Sequence, residues 1–211
     1  MTPGVQASLF DVAVGASGLG LASLTGQFFR HRLTDGAWVD VRPGWVTGSM
    51  ELFDDLHADV PWRAERRQMY ESIVDVPRLL SFYAEGQPLP HPLLAAMRAD
   101  LNAHYRHALP EGFATAGLAL YRDGSDSVAW HGDRIGRGRT DDTLIAIVSL
   151  GSPRTLLMRP RGGGQSRKFV LSSGDVLVMG GTCQRTWDHA VPKSPGAGPR
   201  ISVQFRPSGV R

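Results

Sequence analysis

Three residues have the types and spacing of a metal-ligand set. His131-Gly132-Asp133 directly follows Ser127 to Trp130, a run predicted to be a strand, and strand alternation sends His131 and Asp133 to one face. His189 lies far downstream in Trp187-Asp188-His189-Ala190-Val191-Pro192 and could return on a paired strand. Two imidazoles and one carboxylate occupy one face of an octahedron. Three positions stay open, as a non-haem Fe(II) oxygenase needs for a bidentate co-substrate and O2. A His-x-Asp tripeptide by itself equally suits a hydrogen-bonded turn or a surface pair. The other five of the seven histidines, His31, His57, His91, His104 and His107, fall in the lead-in or on helical stretches and are expected at solvent.

A second constellation is Arg200-Ile201-Ser202-Val203-Gln204-Phe205-Arg206, which alternates with period two. Ile201, Val203 and Phe205 should face a core, leaving Arg200, Ser202, Gln204 and Arg206 on the opposite side, toward a pocket if the sheet closes. Buried guanidinium groups require anions. A dicarboxylate such as 2-oxoglutarate would supply two, each suited to a bidentate arginine fork. The two arginines are about 20 Å apart in a flat strand at roughly 3.3 Å per residue. Either strand twist closes that gap or one arginine does most of the anchoring. An exposed edge strand with solvated arginines is the alternative.

These residues need elements to position them. Residues 1 to about 35 show weak periodicity and read as a flexible or loosely packed lead-in. From Ser49, a candidate N-cap, Leu52, Phe53 and Leu56 recur at helical spacing up to Pro61. A longer helix should follow His91-Pro92, with Leu94, Met97, Leu101 and Tyr105 forming a stripe that packs on a sheet, and it should stop at Pro110-Glu111-Gly112. After Phe113 come short apolar or alternating runs at Ala116 to Tyr121, Thr143 to Leu150, Arg154 to Met158, Phe169 to Ser172, Val176 to Met179 and Arg200 to Phe205, separated by Gly-rich turns. Helical first and β afterwards, the chain reads as an α+β domain built on an antiparallel sandwich or barrel.

At 211 residues, with 42% apolar and 20% charged, the chain fits one catalytic unit. No apolar run could span a bilayer, so no membrane partner is expected. No positively charged segment precedes the mildly apolar stretch Val12 to Leu24, and a cytoplasmic monomer is the expectation. The single cysteine, Cys183, excludes an intrachain disulfide and a cysteine-based metal cluster. Net charge is +3, and the cations are nearly all arginine, with Lys168 and Lys193 the two lysines. That bias suits phosphate contacts. A genome rich in G and C would produce it equally well.

In order and spacing, several motifs together resemble the AlkB family of Fe(II)- and 2-oxoglutarate-dependent dioxygenases. They are Tyr121-Arg122-Asp123-Gly124, His131-Gly132-Asp133, Gly174-Asp175-Val176-Leu177-Val178-Met179-Gly180-Gly181, Trp187 to Pro192, and Arg200 with Arg206-Pro207. The resemblance covers roughly residues 60 to 207. It implies a double-stranded β-helix, or jelly roll, with N-terminal helices packed on one sheet, a dioxygenase domain over 36–211, a nucleotide-recognition lid at about 60–85 and a catalytic β core at about 113–207.

The same resemblance implies an iron triad of His131, Asp133 and His189. It gives Arg200 the distal carboxylate of 2-oxoglutarate and places Arg206 near the iron-chelating end. Tyr121 matches a tyrosine that contacts the co-substrate, and Ser202, on the pocket side of its strand by alternation, is the further co-substrate candidate. With O2, decarboxylation of 2-oxoglutarate would be coupled to hydroxylation of an N-methyl group, which then leaves as formaldehyde. The implied partner is alkylated nucleic acid. DNA carrying 1-methyladenine or 3-methylcytosine comes first; RNA such as tRNA, or hydroxylation of another substrate, is the alternative.

Arg67-Gln68-Met69-Tyr70 and Val76-Pro77-Arg78 resemble the lid, with Met69 and Tyr70 as a wedge for extruding a base. Trp62 and Tyr83 are candidates for stacking on that base, with ordinary core packing as the competing role. Arg63, Arg66, Arg67, Arg137, Arg139, Arg159 and Arg161 would line a phosphate track. Two positions depart from the family. Ala119 stands where many members have Asn, removing one co-substrate hydrogen bond. Ile135 stands where many repair members carry an acid that contacts the base. A jelly-roll binding module with structural His and Asp is the non-enzymatic alternative.

Overall fold

Alternation along the strands becomes two buried layers, one on each face of a large sheet. The structure, a computed structural model, describes residues 18–69, 72–133 and 140–210, with backbone only for 66–69 and 72–76. In chain order its elements are β1 (Gly20–Leu21), β2 (Phe29–Arg32), a 3-10 turn (Thr34–Gly36), β3 (Trp38–Arg42), β4 (Val46–Thr47) and α1 (Ser49–Asp59). β5 (Arg63–Met69), β6 (Ser72–Tyr83), α2 (Pro92–Tyr105), β7 (Thr115–Tyr121) and β8 (Val128–His131) follow. The chain ends with β9 (Ile145–Gly151), β10 (Arg154–Pro160), β11 (Arg167–Leu171), β12 (Val176–Gly180), α3 (Cys183–Thr186), β13 (Trp187–Val191) and β14 (Arg200–Arg206).

Among the described residues, one sheet has the order β2-β3-β12-β9-β14-β7-β6-β5, a second the order β11-β10-β13-β8, and β1 pairs with β4. All these pairings are antiparallel. The arrangement is a jelly roll with helices on the outer face of the larger sheet. Ala116, Leu118, Leu120, Ala146, Val148, Val176, Val178, Ile201, Val203 and Phe205 pack toward α1 and α2, where Leu52, Leu56, Leu94, Met97 and Leu101 meet them. The alternate set, including Ala119, Tyr121, Ile145, Ile147, Leu177 and Met179, packs between the sheets against Leu156, Met158, Leu171, Trp187 and Val191. No described helix is long and apolar enough to cross a membrane.

Helices and strands interleave before residue 113, rather than helices preceding strands. β2 and β3 join the larger sheet, and β5 with β6 forms a hairpin inside the 60–85 segment. β5 is a charged edge strand, Arg-Ala-Glu-Arg-Arg-Gln-Met, and with no second partner among the described residues it has no reason to alternate. In β6, Pro77 falls in the register shift between Ala64↔Leu79 and Arg66↔Asp75, where its missing N–H costs no ladder bond. Within the lead-in, β1 and β2 occupy residues 20–21 and 29–32.

α1 starts where expected but without a side-chain cap. Gly48 holds the N-cap position at φ 62, and a Cβ there would meet the Leu19 backbone at 2.8 Å. Ser49 instead accepts a hydrogen bond from the Ser173 hydroxyl at 2.9 Å. His91 is not a solvated side chain: its Nδ1 accepts from Leu93 N at 3.1 Å and caps α2, with Pro92 at the first helical position.

Gly180 ends β12 against the face of Trp38, whose ring also takes Arg30 at 4.0 Å and stacks with Tyr105. A Cβ at Gly180 would overlap the Trp38 six-membered ring, which is hemmed in and cannot retreat freely. Gly180→Ala is therefore expected to destabilise the fold by about 1–3 kcal/mol, the range for overpacking. At roughly 2–4 °C per kcal/mol for a domain of this size, calorimetry would detect the lowered Tm.

Candidate active site

The ends of β8 and β13 form one wall of a cavity between the two sheets. In the β8–β13 ladder His189 pairs with His131 and Val191 with Val128, so β8 carries one extra residue. That bulge puts both Val128 and His131 on the cavity side, which strict alternation would forbid. The imidazoles of His131 and His189 then lie 4.2 Å apart between ring centroids. Asp133, just past β8, brings Oδ2 to 3.9 Å from His189 Nε2.

The protonation states suit a divalent cation. His131 Nδ1 lies 2.9 Å from the Ala129 carbonyl, which can only accept, so Nδ1 donates there and Nε2 is the nitrogen left for a metal. Burial, helped by nearby His131, pushes the His189 pKa down to about 3, leaving a neutral imidazole at physiological pH. For Asp133 burial opposes ionisation, yet the charge of Arg206 beside it holds its pKa below the usual carboxylate value. Arg206 Nη2 donates to Asp133 Oδ1 at 3.3 Å and to Gln204 Oε1 at 2.8 Å, while Gln204 Nε2 donates to Ser202 Oγ at 3.2 Å. As they stand, no three described His, Cys, Asp or Glu side chains lie close enough together to hold an ion. The match is one of chemistry: two imidazoles, one of them held neutral by burial, and an ionised carboxylate at the ends of paired strands suit Fe(II).

The facing wall comes from β14 and β7. Arg200 is 2% exposed; its Nε donates to Ser149 Oγ at 2.9 Å and its Cζ lies 5.0 Å from the Tyr121 ring centroid. Its Nη1 is buried without a hydrogen-bond partner among the described residues. Burial lowers the Arg200 pKa, but guanidinium stays charged. An orphaned buried N–H on a cation calls for an anion, and the cavity it shares with Tyr121, Ser202, Gln204, His131 and His189 gives that anion a place. Ala119 sits opposite Ser202, an apolar position between the sheets.

Arg154, not singled out from sequence, is a second buried cation nearby. It donates to the carbonyls of Asp123 (3.1 Å), Asp126 (2.6 Å) and Pro192 (3.0 Å), tying the β7–β8 loop to the end of β13. Its place in a short apolar strand was the available signal, since an arginine among inward positions must find acceptors.

The predicted substrate residues separate. Arg78 lines the cavity, and its Nη1 donates to Ser127 O at 3.4 Å. Trp62 and Tyr83, the candidate stacking pair, lie instead on the helix side of the large sheet. Both pack against the core under α1 and α2, and Trp62 Nε1 donates to His57 O. The register explains it: Tyr83 is opposite Ala116, which faces the helices, whereas Phe82 is opposite Gly117 on the cavity side. A Cβ at Gly117 would lie 3.3 Å from Arg206 Nη1. Phe82, half exposed at 50%, is thus the aromatic that sequence reasoning missed by one residue.

Arg159 stacks on Trp130 at 4.1 Å on the outer face of the smaller sheet. Arg161 is exposed, with Nη1 3.4 Å from Arg185 O. Arg63, exposed, pairs with Leu80 at the β5 edge. Tyr70, Ile135, Arg137 and Arg139 lie outside the described residues, as do the side chains of Met69, Arg66 and Arg67.

Comparison with known proteins agrees with this geometry. The family model for the 2OG-Fe(II) oxygenase superfamily matches residues 83–206. The chain is 31% identical over 188 residues to alpha-ketoglutarate-dependent dioxygenase alkB homolog 3 of Bos taurus, covering 78% of this chain and 64% of that protein. The Homo sapiens homolog 3 is 32% identical over 178 residues, covering 74% and 60%. DNA oxidative demethylase ALKBH2 of Arabidopsis thaliana is 32% identical over 136 residues, covering 52% and 42%. The chain thus spans at most 64% of the length of these curated relatives. The solved structure of OsALKBH1 shares the fold, with TM-score 0.59 at 13% identity over 85% of this chain and 100% of that one. With the matched region enclosing both walls of the cavity, the chain belongs to the 2OG-Fe(II) oxygenase superfamily, and within it is similar to the AlkB homologues.

Proposed function

We propose that this chain oxidatively demethylates N-alkylated nucleobases of the 1-methyladenine and 3-methylcytosine type in DNA, using Fe(II) and 2-oxoglutarate. The observation that carries the reading is the pairing of two walls in one cavity. His131, Asp133 and His189 converge on one side, and the buried, partly unpartnered guanidinium of Arg200 faces them. The names of the relatives support the chemistry, and one of them specifies DNA.

In this reading His131, Asp133 and His189 would hold the iron. Bound iron with 2-oxoglutarate and O2 would supply the oxidation of the methyl carbon. Arg200 binds the distal carboxylate of the co-substrate, and Ser202 and Tyr121 line its path. Arg206 hydrogen-bonds Asp133 and so holds that carboxylate ionised and oriented, which is how it acts at the metal end of the site. Phe82 and Leu80 share the cavity-side face of β6, and in this reading the half-exposed Phe82 ring is the candidate for stacking on a flipped base. Arg78, which lines the cavity, and the exposed Arg161 are the candidate contacts to the nucleic acid.

Purified chain with Fe(II), 2-oxoglutarate and single-stranded DNA carrying 1-methyladenine or 3-methylcytosine should release formaldehyde in step with succinate. The same lesions in RNA serve as the parallel substrate. Turnover confined to RNA would move the substrate class while leaving the oxygenase reading intact. Silence on every methylated oligonucleotide would refute the demethylase assignment.

A further inference from the structure

β8 is the least anchored carrier of the triad wall. It has four residues, lies at the edge of the smaller sheet, and among the described residues pairs with β13 alone, on either side of a bulge. An edge strand with so few ladder bonds opens at low cost. His131 at its end must nevertheless meet His189 and Asp133 within a fraction of an ångström to share one ion.

The outer face of that sheet carries a tie that the ladder lacks. Arg159 on β10 is in register with Asp188 on β13, and its guanidinium reaches to 4.1 Å from the ring centroid of Trp130 on β8. The side chain therefore crosses over β13 and joins the two strands that flank it. Trp130 immediately precedes His131, and Asp188 immediately precedes His189, so the stack lies directly behind the two imidazoles. Arg159 Nε is buried and bonds no described acceptor, so the ring face is what that part of the guanidinium meets.

We propose that Arg159 is a positioning residue: by stacking on Trp130 across β13, it pins the edge strand so that His131 stands beside His189. This rests on the proposed metal site and gives Arg159 a task other than the phosphate contact expected from sequence. Phosphate contact is left to the exposed Arg161.

Co(II) titration of the metal-free protein, read from d–d absorption, tests the proposal together with hydrogen exchange of the metal-free protein. Arg159→Met, which keeps the volume and loses the planar charge, should weaken Co(II) binding roughly tenfold, the lower range for residues supporting metal ligands. Trp130→Leu should do the same, Trp130→Phe should keep most of the affinity, and the double variant should be no weaker than either single one, as expected for one shared contact. In metal-free Arg159→Met, β8 amides should exchange faster while those of β9 and β14 keep their rates, a local effect that general destabilisation would not produce.

Parent-like Co(II) affinity and parent-like β8 exchange in Arg159→Met would overturn the proposal. So would an unchanged Co(II) affinity combined with a salt slope of oligonucleotide binding reduced by about one, the signature of a lost phosphate contact. If the parent protein takes up no Co(II), the metal site itself fails. β8 exchange in Arg159→Met then still decides whether the stack pins the strand.

Discussion

Asp133→Ala is expected to empty the candidate metal site and reduce formaldehyde release by at least about a thousandfold. A carboxylate near 4 Å from even a single positive charge contributes about 4 kcal/mol at an effective dielectric of 20. At about 1.4 kcal/mol per decade, that is three decades of affinity, before the second charge of Fe(II) is counted. His131 and His189 cannot replace the lost anion, since an imidazole carries no negative charge. Asp133→Asn separates charge from shape: it keeps an acceptor for Arg206 and should bind iron nearly as poorly as the alanine variant. Iron content after anaerobic reconstitution is the direct measurement, with His131→Ala run beside it. A variant holding iron as well as the parent would show that the ion binds elsewhere.

Arg200→Met should act on the co-substrate and leave the metal in place. Removing one partner of a buried, hydrogen-bonded charge pair costs about 2–5 kcal/mol, or roughly 30-fold to several-thousand-fold, so KM for 2-oxoglutarate should rise by that factor. Iron content should stay at the parent level, because Arg200 faces the triad from the opposite wall. Stability separates the possibilities further. In the protein without co-substrate, Arg200 is a buried cation with an unpartnered N–H, so replacing it with an apolar side chain should not lower Tm and could raise it. In the parent, 2-oxoglutarate at 100 times its Kd should add about 2.7 kcal/mol of stability, and that thermal shift should disappear in the variant. A marked loss of Tm without co-substrate would instead make Arg200 a structural cation of the β14–β9 pair.

Much of this was legible because strand alternation is a local property. The spacing of Ile201, Val203 and Phe205 against Arg200, Ser202 and Gln204 assigned two faces to β14, and the packing follows that division. Helix α2 was equally readable, since Leu94, Met97, Leu101 and Tyr105 recur at helical spacing and all four are buried. Edge strands behaved differently. β2 and β5 expose charged residues and carry no alternation, so only their pairing with β3 and β6 marks them as strands.

Residue types and order along the chain were enough to nominate two imidazoles, a carboxylate and an arginine-bearing strand, because coordination and charge neutralisation demand those groups wherever they sit. Which of them meet depended on sheet register, a relation between segments distant in sequence. One residue of register separates Phe82 on the cavity side from Tyr83 on the helix side. A bulge turns His131 inward beside His189. Arg159 leaves the expected phosphate track for the ring of Trp130 because β10 and β8 flank the same strand. Side-chain direction in a sheet has period two, so a shift of one residue exchanges its faces, and a shift of that kind is set by pairing partners that no local window contains.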